Sequence, residues 1–255
     1  MARDSSSARS GLPLSIVILA AGQGKRMKSD LPKVLQPLAG RPLLGHVIST
    51  AQSLHPASVH VVFGHGGDRV REAFAADSEL QWALQAEQLG TGHAVQQALP
   101  ALNDDAIALI LYGDVPLIRA DTLANLLALA GEGAMSLLTV MLDDPTGYGR
   151  IVRDAGGNVV GIVEHRDASP DELKIREINT GIYLFDSTLF GPALEGIGTN
   201  NSQAEYYLTN VVAVLASAGH SVGSVIAPAS ETAGVNDPLQ LAEAEQEMLR
   251  RNATT

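Results

Sequence analysis

Residues Leu14 to Ala21, LSIVILAA, carry no charge, hold three β-branched aliphatics in a row, and pass directly into Gly22-Gln23-Gly24-Lys25-Arg26-Met27-Lys28. A run this apolar and this short suits a central parallel strand buried on both faces. That constrains the rest of the chain, because parallel strands need crossover connections and covered faces. Helical stripes at Leu43 to Leu54, through Val70 and Phe74, at Gly92 to Leu99 and at Asp121 to Ala130 alternate with apolar runs at Val59 to Phe63, Trp82 to Leu84, Ala106 to Leu111 and Met135 to Leu142. Strand and helix in repeated order predict an α/β protein with a parallel, doubly wound sheet.

Open sheets of this kind bind ligands outside the carboxyl ends of their strands. At the first such end, Gly22 and Gly24 let the backbone approach a phosphate, and Lys25, Arg26, Lys28 and Lys33 can balance its charge. The loop is not a Walker A loop, since Gly24-Lys25 is followed by Arg26 rather than Ser or Thr. Nor is it a dinucleotide fingerprint, because Met27 stands where a third small residue belongs. It reads as a phosphate site of unspecified chemistry, although a basic surface turn would use the same residues. Gly64-His65-Gly66-Gly67 marks a second strand end, with a histidine suited equally to a turn, to packing or to a ligand contact. At the third, Gln85 and Gln88 beside Gly90 and Gly92 offer amide donors and acceptors to a base, while Thr91 is placed to cap the adjoining helix. At the fourth, Tyr112-Gly113-Asp114-Val115-Pro116 sets a carboxylate where it can ligate Mg²⁺ or cap a turn.

From Asp143 the rhythm changes to a hairpin, with Thr146 to Arg153 and Asn158 to Glu164 flanking Ala155-Gly156-Gly157. Asn179-Thr180-Gly181 opens a strand from Ile182 to Phe185. Gly149, Glu164 and Asn179 can face hydroxyls or an amide of a polar ligand. Glu205 to Asn210 leads a helix, Val222 to Ile226 is a late strand, and Gly234-Val235-Asn236-Asp237-Pro238 precedes a terminal helix. Asn236 is a neutral oxygen donor able to complete a cation site begun by Asp114.

Composition narrows the classes of partner. The 255 residues are 45% hydrophobic with a net charge of −11, which argues against nucleic acid or an anionic membrane as the main partner. There are no cysteines, so disulfides, thiolate metal sites and cysteine nucleophiles are excluded. Residues 1–11 read as a disordered tail, 12–237 as one domain and 238–255 as a terminal helix. A signal peptide is disfavoured because Asp4 interrupts the basic region and cleavage would remove the first strand. No run approaches transmembrane length, and the expected location is cytoplasmic.

LAAGQGKRM (19–27), LPKVL (31–35), QAEQLGTGHA (85–94), LYGDVPL (111–117), LDDPTGYGRI (142–151), GIVEH (161–165), EINTGIY (177–183), AEYYLTN (204–210) and GVND (234–237) together resemble the sugar-1-phosphate nucleotidyltransferases. The resemblance is strongest to the uridyltransferase half of the bacterial bifunctional N-acetylglucosamine-1-phosphate uridyltransferase/glucosamine-1-phosphate acetyltransferases, and it covers about Leu14 to Leu249. It implies a Rossmann-like fold, phosphates held by the backbone of Leu19, Ala20, Ala21 and Gly22 with Arg26 and Lys33, and uracil read by Gln85, Gly90 and Thr91. It further implies a sugar pocket of Gly149, Glu164 and Asn179 with Tyr112 and Gly113 nearby, and Mg²⁺ on Asp114 and Asn236, which also borders the sugar. The implied reaction joins UTP and N-acetylglucosamine 1-phosphate into UDP-N-acetylglucosamine and pyrophosphate. Three positions depart from the family pattern: Lys25 replaces a usual Thr, Ala204 a usual Gly and Asn210 a usual Asp. The chain also ends about where the family's left-handed β-helix acetyltransferase domain would begin. The expectation is therefore no acetyltransferase activity and no obligate trimer.

Overall fold

Strand β1 (Leu14–Leu19) lies inside the sheet, paired in parallel with β4 (Ser58–Phe63) on one side and β6 (Ile107–Tyr112) on the other. The computed structural model describes residues 11–64, 67–102 and 105–253, so the expectations for the tail (1–10) and for His65 and Gly66 fall outside the described residues. Between β1 and β4 come a small hairpin of β2 (Pro37–Leu38) and β3 (Arg41–Pro42) and the helix α1 (Leu43–Gln52). Then α2 (Asp68–Ala73), β5 (Leu80–Leu84) and α3 (Thr91–Ala98) lead to β6, and α4 (Ala120–Leu127) leads to β7 (Met135–Met141). The second half adds β8 (Arg150–Arg153), β9 (Val159–Val163), β10 (Glu177–Asp186), α5 (Ser187–Glu195), α6 (Asn210–Ser217), β11 (Val222–Ile226), α7 (Ala229–Thr232) and α8 (Pro238–Asn252).

The strand order is β11-β7-β10-β6-β1-β4-β5, with the β8–β9 hairpin attached to β10. The chain leaves β1 toward β5, then returns to start β6 on the other side of β1. This reversal between β1 and β6 is the topological switch point at which open α/β sheets place their ligands. The sheet is mostly parallel, as expected. One strand breaks the rule: β10 runs antiparallel between β6 and β7, which sequence alternation alone would have made neighbours. The same strand is longer than expected. Asn179-Thr180-Gly181 does not precede it but forms a bulge within it, where the pairing with β7 slips between Asn179 and Tyr183.

Period-two alternation divides the core between the two faces of the sheet. Ile16 and Ile18 join Leu109, Leu111 and Val61 under α1 and α4, whereas Val17 and Leu19 join Ala108, Ile110 and Val62 under α3, α5 and α6. In α1 the stripe Leu44, Val47, Ile48 and Ala51 is buried, as its 3.6-residue spacing requires. A smaller cluster of Leu38, Leu43, Leu117, Val235 and Ala244 seats α8 against the turn that carries Asn236. Among the described residues no helix is long and apolar enough to cross a membrane.

Candidate functional site

A cleft opens at the switch point. It is lined by Leu19, Ala20, Ala21, Gly22, Lys33, Gln85, Gln88, Gly90, Thr91, Tyr112 and Asp114 from the residues singled out in the sequence, together with Val34, Ala94 and Glu205. Its floor is the carboxyl ends of β1 and β6, joined where Gly113 N–H donates to Leu19 O at 2.9 Å.

The loop after β1 has a sharper anatomy than its glycines suggested. Leu19 is paired in the sheet and Ala20 N–H donates to Val62 O at 2.8 Å, so these two amides are already used. Among the described residues no group accepts the N–H of Ala21, Gly22, Gln23 or Gly24. Successive free amides at a strand end are donors of the kind that suit an anion. Gly24 has φ +62, and a Cβ there would sit 2.5 Å from Lys33 Cβ, so this glycine both makes the turn and admits the Lys33 stem. Buried Met27 pins the short 3-10 turn Lys25–Met27, leaving Lys25 and Arg26 exposed beyond the cleft lining.

Lys33 reaches inward. Its ammonium, on a side chain only 11% exposed, pairs with Asp114 Oδ2 and donates to Asn236 Oδ1 at 2.9 Å. Residues 81 and 203 positions from Lys33 thus meet at one nitrogen. Val235 N–H donates to Asp114 O at 2.8 Å, and Asp237 caps α8 through Gln240 N–H at 2.9 Å, which fixes the turn between them. Two oxygens, one a carboxylate and one an amide, therefore converge on a point that already holds a cationic group. That donor set suits a hard cation completing its shell with ligand phosphates and water. Among the described residues there is no cluster of three or more acidic, His or Cys groups able to hold a metal unaided.

A second wall of the cleft is the loop between β5 and α3. Gln88 Nε2 donates to Ala21 O at 2.7 Å, closing this loop onto the β1 loop, and Gly64 leaves the space, since a Cβ there would meet that same oxygen at 2.7 Å. Thr91 does not cap α3. Gly90 occupies the cap position, and the Thr91 hydroxyl accepts from Leu208 N–H at 3.1 Å. Two further bonds, Tyr206 N–H to Leu89 O and Gly92 N–H to Tyr206 O, both 2.8 Å, tie the loop to segment 205–208 of the second half. A side chain at Gly90 would strike Tyr206 O at 2.6 Å, so the strap lies against bare backbone.

Gly149, Glu164 and Asn179 also come together. Asn179 N–H donates to Gly149 O at 2.9 Å, and a Cβ on Gly149 would lie 3.5 Å from the Glu164 carboxylate. Burial raises the pKa of Glu164, opposed by the Thr209 hydroxyl that donates to Oε1 at 3.2 Å. The Asn179 side chain accepts from Gly181 N–H at 3.0 Å within the bulge of β10. Gly181 has φ +82, and any Cβ would sit 2.5 Å from the Tyr112 ring, so the bulge also seats that ring. Burial, then the charges of Asp114 and Glu164, drive the Tyr112 hydroxyl's pKa up, so Tyr112 borders the cleft as a neutral phenol. Thr209 and Glu205 were not singled out in the sequence, although both lie in AEYYLTN, and that motif was their only signal.

Residues 16–155, more than half of the chain, match the model of the MobA-like NTP transferase domain. The chain belongs to the MobA-like NTP transferase family. Curated relatives named bifunctional protein GlmU are similar along nearly all of it: 54% identical over 245 residues in Xanthomonas axonopodis pv. citri (strain 306), covering 96% of this chain and 53% of the relative. The Azotobacter vinelandii protein is 56% identical over 243 residues, 95% of this chain and 53% of its own length. That of Burkholderia lata is 57% identical over 234 residues, 91% and 51%. The chain thus spans about half the length of the curated relatives it matches. HddC from Yersinia pseudotuberculosis, solved complexed with GMP-PN, shares the fold with a TM-score of 0.67 at 18% identity, covering 92% of this chain and 99% of HddC. In MobA-like terms the matched span contains the β1 loop, Lys33, the β5–α3 loop and Asp114, and leaves Glu164, Asn179 and Asn236 to the remainder of the chain. Nucleotidyltransferases of this type generally use a divalent metal ion.

Proposed function

We propose that this chain transfers a uridylyl group from UTP to N-acetylglucosamine 1-phosphate, giving UDP-N-acetylglucosamine and pyrophosphate, with Mg²⁺ as its metal. The observation that carries the reading is the meeting of Lys33, Asp114 and Asn236 beside a cleft whose free amides suit phosphates. Similarity to bifunctional GlmU proteins over 96% of the chain supports the choice of substrates.

In this reaction a phosphate oxygen of the acceptor attacks the α-phosphorus of UTP, and the bond to the β-phosphate oxygen breaks with its electron pair leaving on pyrophosphate. The nucleophile is already an anion, so no general base is required, and among the described residues the cleft lining holds no histidine. What the chain must supply is alignment of two anions and charge for the leaving group. The amides of residues 21–24 hold the phosphates, Arg26 and Lys33 attend the pyrophosphate, and Gln85, Gly90 and Thr91 face the base. Gly149, Glu164 and Asn179, with Tyr112 and Gly113 between them and the nucleotide, hold the sugar. Asp114 and Asn236 would be the protein ligands of Mg²⁺, which supplies neutralisation of phosphate charge when bound. Lys33 keeps both oxygens aimed at one point until the nucleotide's phosphates draw its ammonium away.

Pyrophosphate release measured across UTP, CTP, GTP and ATP with a series of sugar 1-phosphates tests the proposal. UTP with N-acetylglucosamine 1-phosphate should give the highest kcat/KM. A clear preference for another pair would contradict it.

A further inference from the structure

Gln85, 3% exposed at the end of the β5 region, is held by two contacts that together determine which way its amide faces. Its Nε2 lies 3.1 Å from Gly90 O and 3.2 Å from His93 Nδ1. The Gly90 carbonyl also receives Ala94 N–H at 3.1 Å, so an amide oxygen in the place of Nε2 would meet lone pairs instead of a donor. Nitrogen therefore faces Gly90, and Oε1, which takes no hydrogen bond from any described residue, is left to the cleft that Gln85 lines. The second hydrogen of Nε2 is aimed at His93 Nδ1, which can accept it only as the unprotonated ring nitrogen.

A rival presses on the other side of the ring. Gln97 Nε2 lies 3.2 Å from His93 Nε2 and 3.2 Å from the His93 carbonyl. A neutral imidazole accepts through one nitrogen, so one of the two amides goes without. Gln97 is only partly buried and can turn to water, whereas Gln85 is enclosed and has no such outlet. An unmatched donor costs more in the enclosed place, and the ring's acceptor is accordingly Nδ1.

We propose that His93 is a positioning residue for base selection: by accepting from Gln85 it fixes that amide with its oxygen toward the base site. The inference rests on the cleft being the base site of the proposed reaction. An oxygen there matches the N3–H of uracil and opposes the N3 lone pair of cytosine. Without the acceptor at Nδ1 only Gly90 O still holds Nε2, so the Gln85 amide turns more readily and its NH₂, once turned toward the base site, favours cytosine. Selection is thus set by a side chain that touches no substrate.

Three substitutions separate this role from simple packing. Asn places Oδ1 about where His carries Nδ1, Leu places a methyl there, and Gln carries its acceptor one bond further out. The readout is the ratio of kcat/KM for UTP over CTP, with N-acetylglucosamine 1-phosphate as acceptor, in the full chain. Because the ratio is taken within each variant, a reduced folded fraction cancels. His93→Asn should keep the wild-type ratio within about twofold, while His93→Leu and His93→Gln should lower it by about tenfold, with kcat/KM for CTP rising. If His93→Leu does not turn over, His93→Gln decides alone. Wild-type ratios in Leu and Gln, or a loss in Asn as large as theirs, would overturn the inference. A wild-type enzyme indifferent between UTP and CTP would instead overturn the base reading beneath it.

Discussion

The cleft and the proposed sugar pocket around Glu164 are built by different means. The cleft comes chiefly from ends of parallel strands: its proposed phosphate donors are backbone amides, its loops are short, and among its described lining residues only Glu205 comes from the second half. The pocket comes from a hairpin, a bulged antiparallel strand and a strap, and its members Gly149, Glu164, Asn179 and Thr209 are brought together from four segments. A strand-end loop needs only its own sequence to make an anion site. A pocket assembled from insertions needs the whole second half in place. A change on one side should accordingly spare the other, and that is open to measurement.

The largest effect is expected from Asp114→Ala, which removes the carboxylate facing Lys33 and the proposed metal. Turnover should fall by roughly 200- to 900-fold with every acceptor alike, in keeping with the roughly 3 to 4 kcal/mol typical of a lost preorganised group. A loss confined to one acceptor would dissolve the distinction between the two sides.

Glu164→Gln should act on the pocket alone. KM for the sugar 1-phosphate is expected to rise about tenfold, as for loss of a charged hydrogen bond, while KM for UTP stays put. The same substitution has the opposite sign for stability. Burial raises the Glu164 pKa in the folded chain, so the native state holds this proton more tightly than the unfolded one. The resulting stability is complete below the ordinary carboxylate pKa and is lost as pH rises through the raised value. Glu164→Gln should therefore melt above the wild type at about pH 8, with the gap closing near about pH 4. A gap that widens on acidification would reverse the assignment.

The smallest effect concerns the strap. Ala204 adopts φ +53 in a turn held by Asn201, whose Oδ1 accepts from Glu205 N–H at 3.2 Å and whose Nδ2 donates to Glu205 O at 2.6 Å. Left-handed backbone costs an alanine about 1 kcal/mol relative to glycine. Ala204→Gly should raise the melting temperature by a few degrees and leave both KM values unchanged. A shift in KM for UTP alone would mean that the strap tunes the base loop it is bonded to.

How far the sequence discloses the molecule follows the same division. The alternation from Leu14 to Leu142 discloses the parallel strands and their order of appearance, and Gly22 and Gly24 disclose a loop after β1, whose amides the fold leaves free. The insertion of β10 between β6 and β7 is hidden, because strand periodicity carries no information about a strand's neighbours or direction. Asn179-Thr180-Gly181 looks like a turn since turns and bulges draw on the same residues. Lys33 is legible as one of the cations near the β1 loop, but nothing in its spacing foretells that it lies between Asp114 and Asn236. Thr91 has the look of a helix cap, yet its hydroxyl is used by Leu208 from the far half of the chain. Local chemistry is readable, whereas meetings across the fold are not.

The central claim is that Asp114 and Asn236, far apart in sequence, form one cation site serving uridylyl transfer. Titrating Mg²⁺ against the initial rate of pyrophosphate release from UTP and N-acetylglucosamine 1-phosphate, in the wild type and in Asn236→Ala, tests it most directly. The account predicts a saturable dependence in both, with half-saturation moved to about tenfold higher Mg²⁺ in the variant. Identical half-saturation in the two proteins, or release that proceeds without a divalent cation, would contradict it.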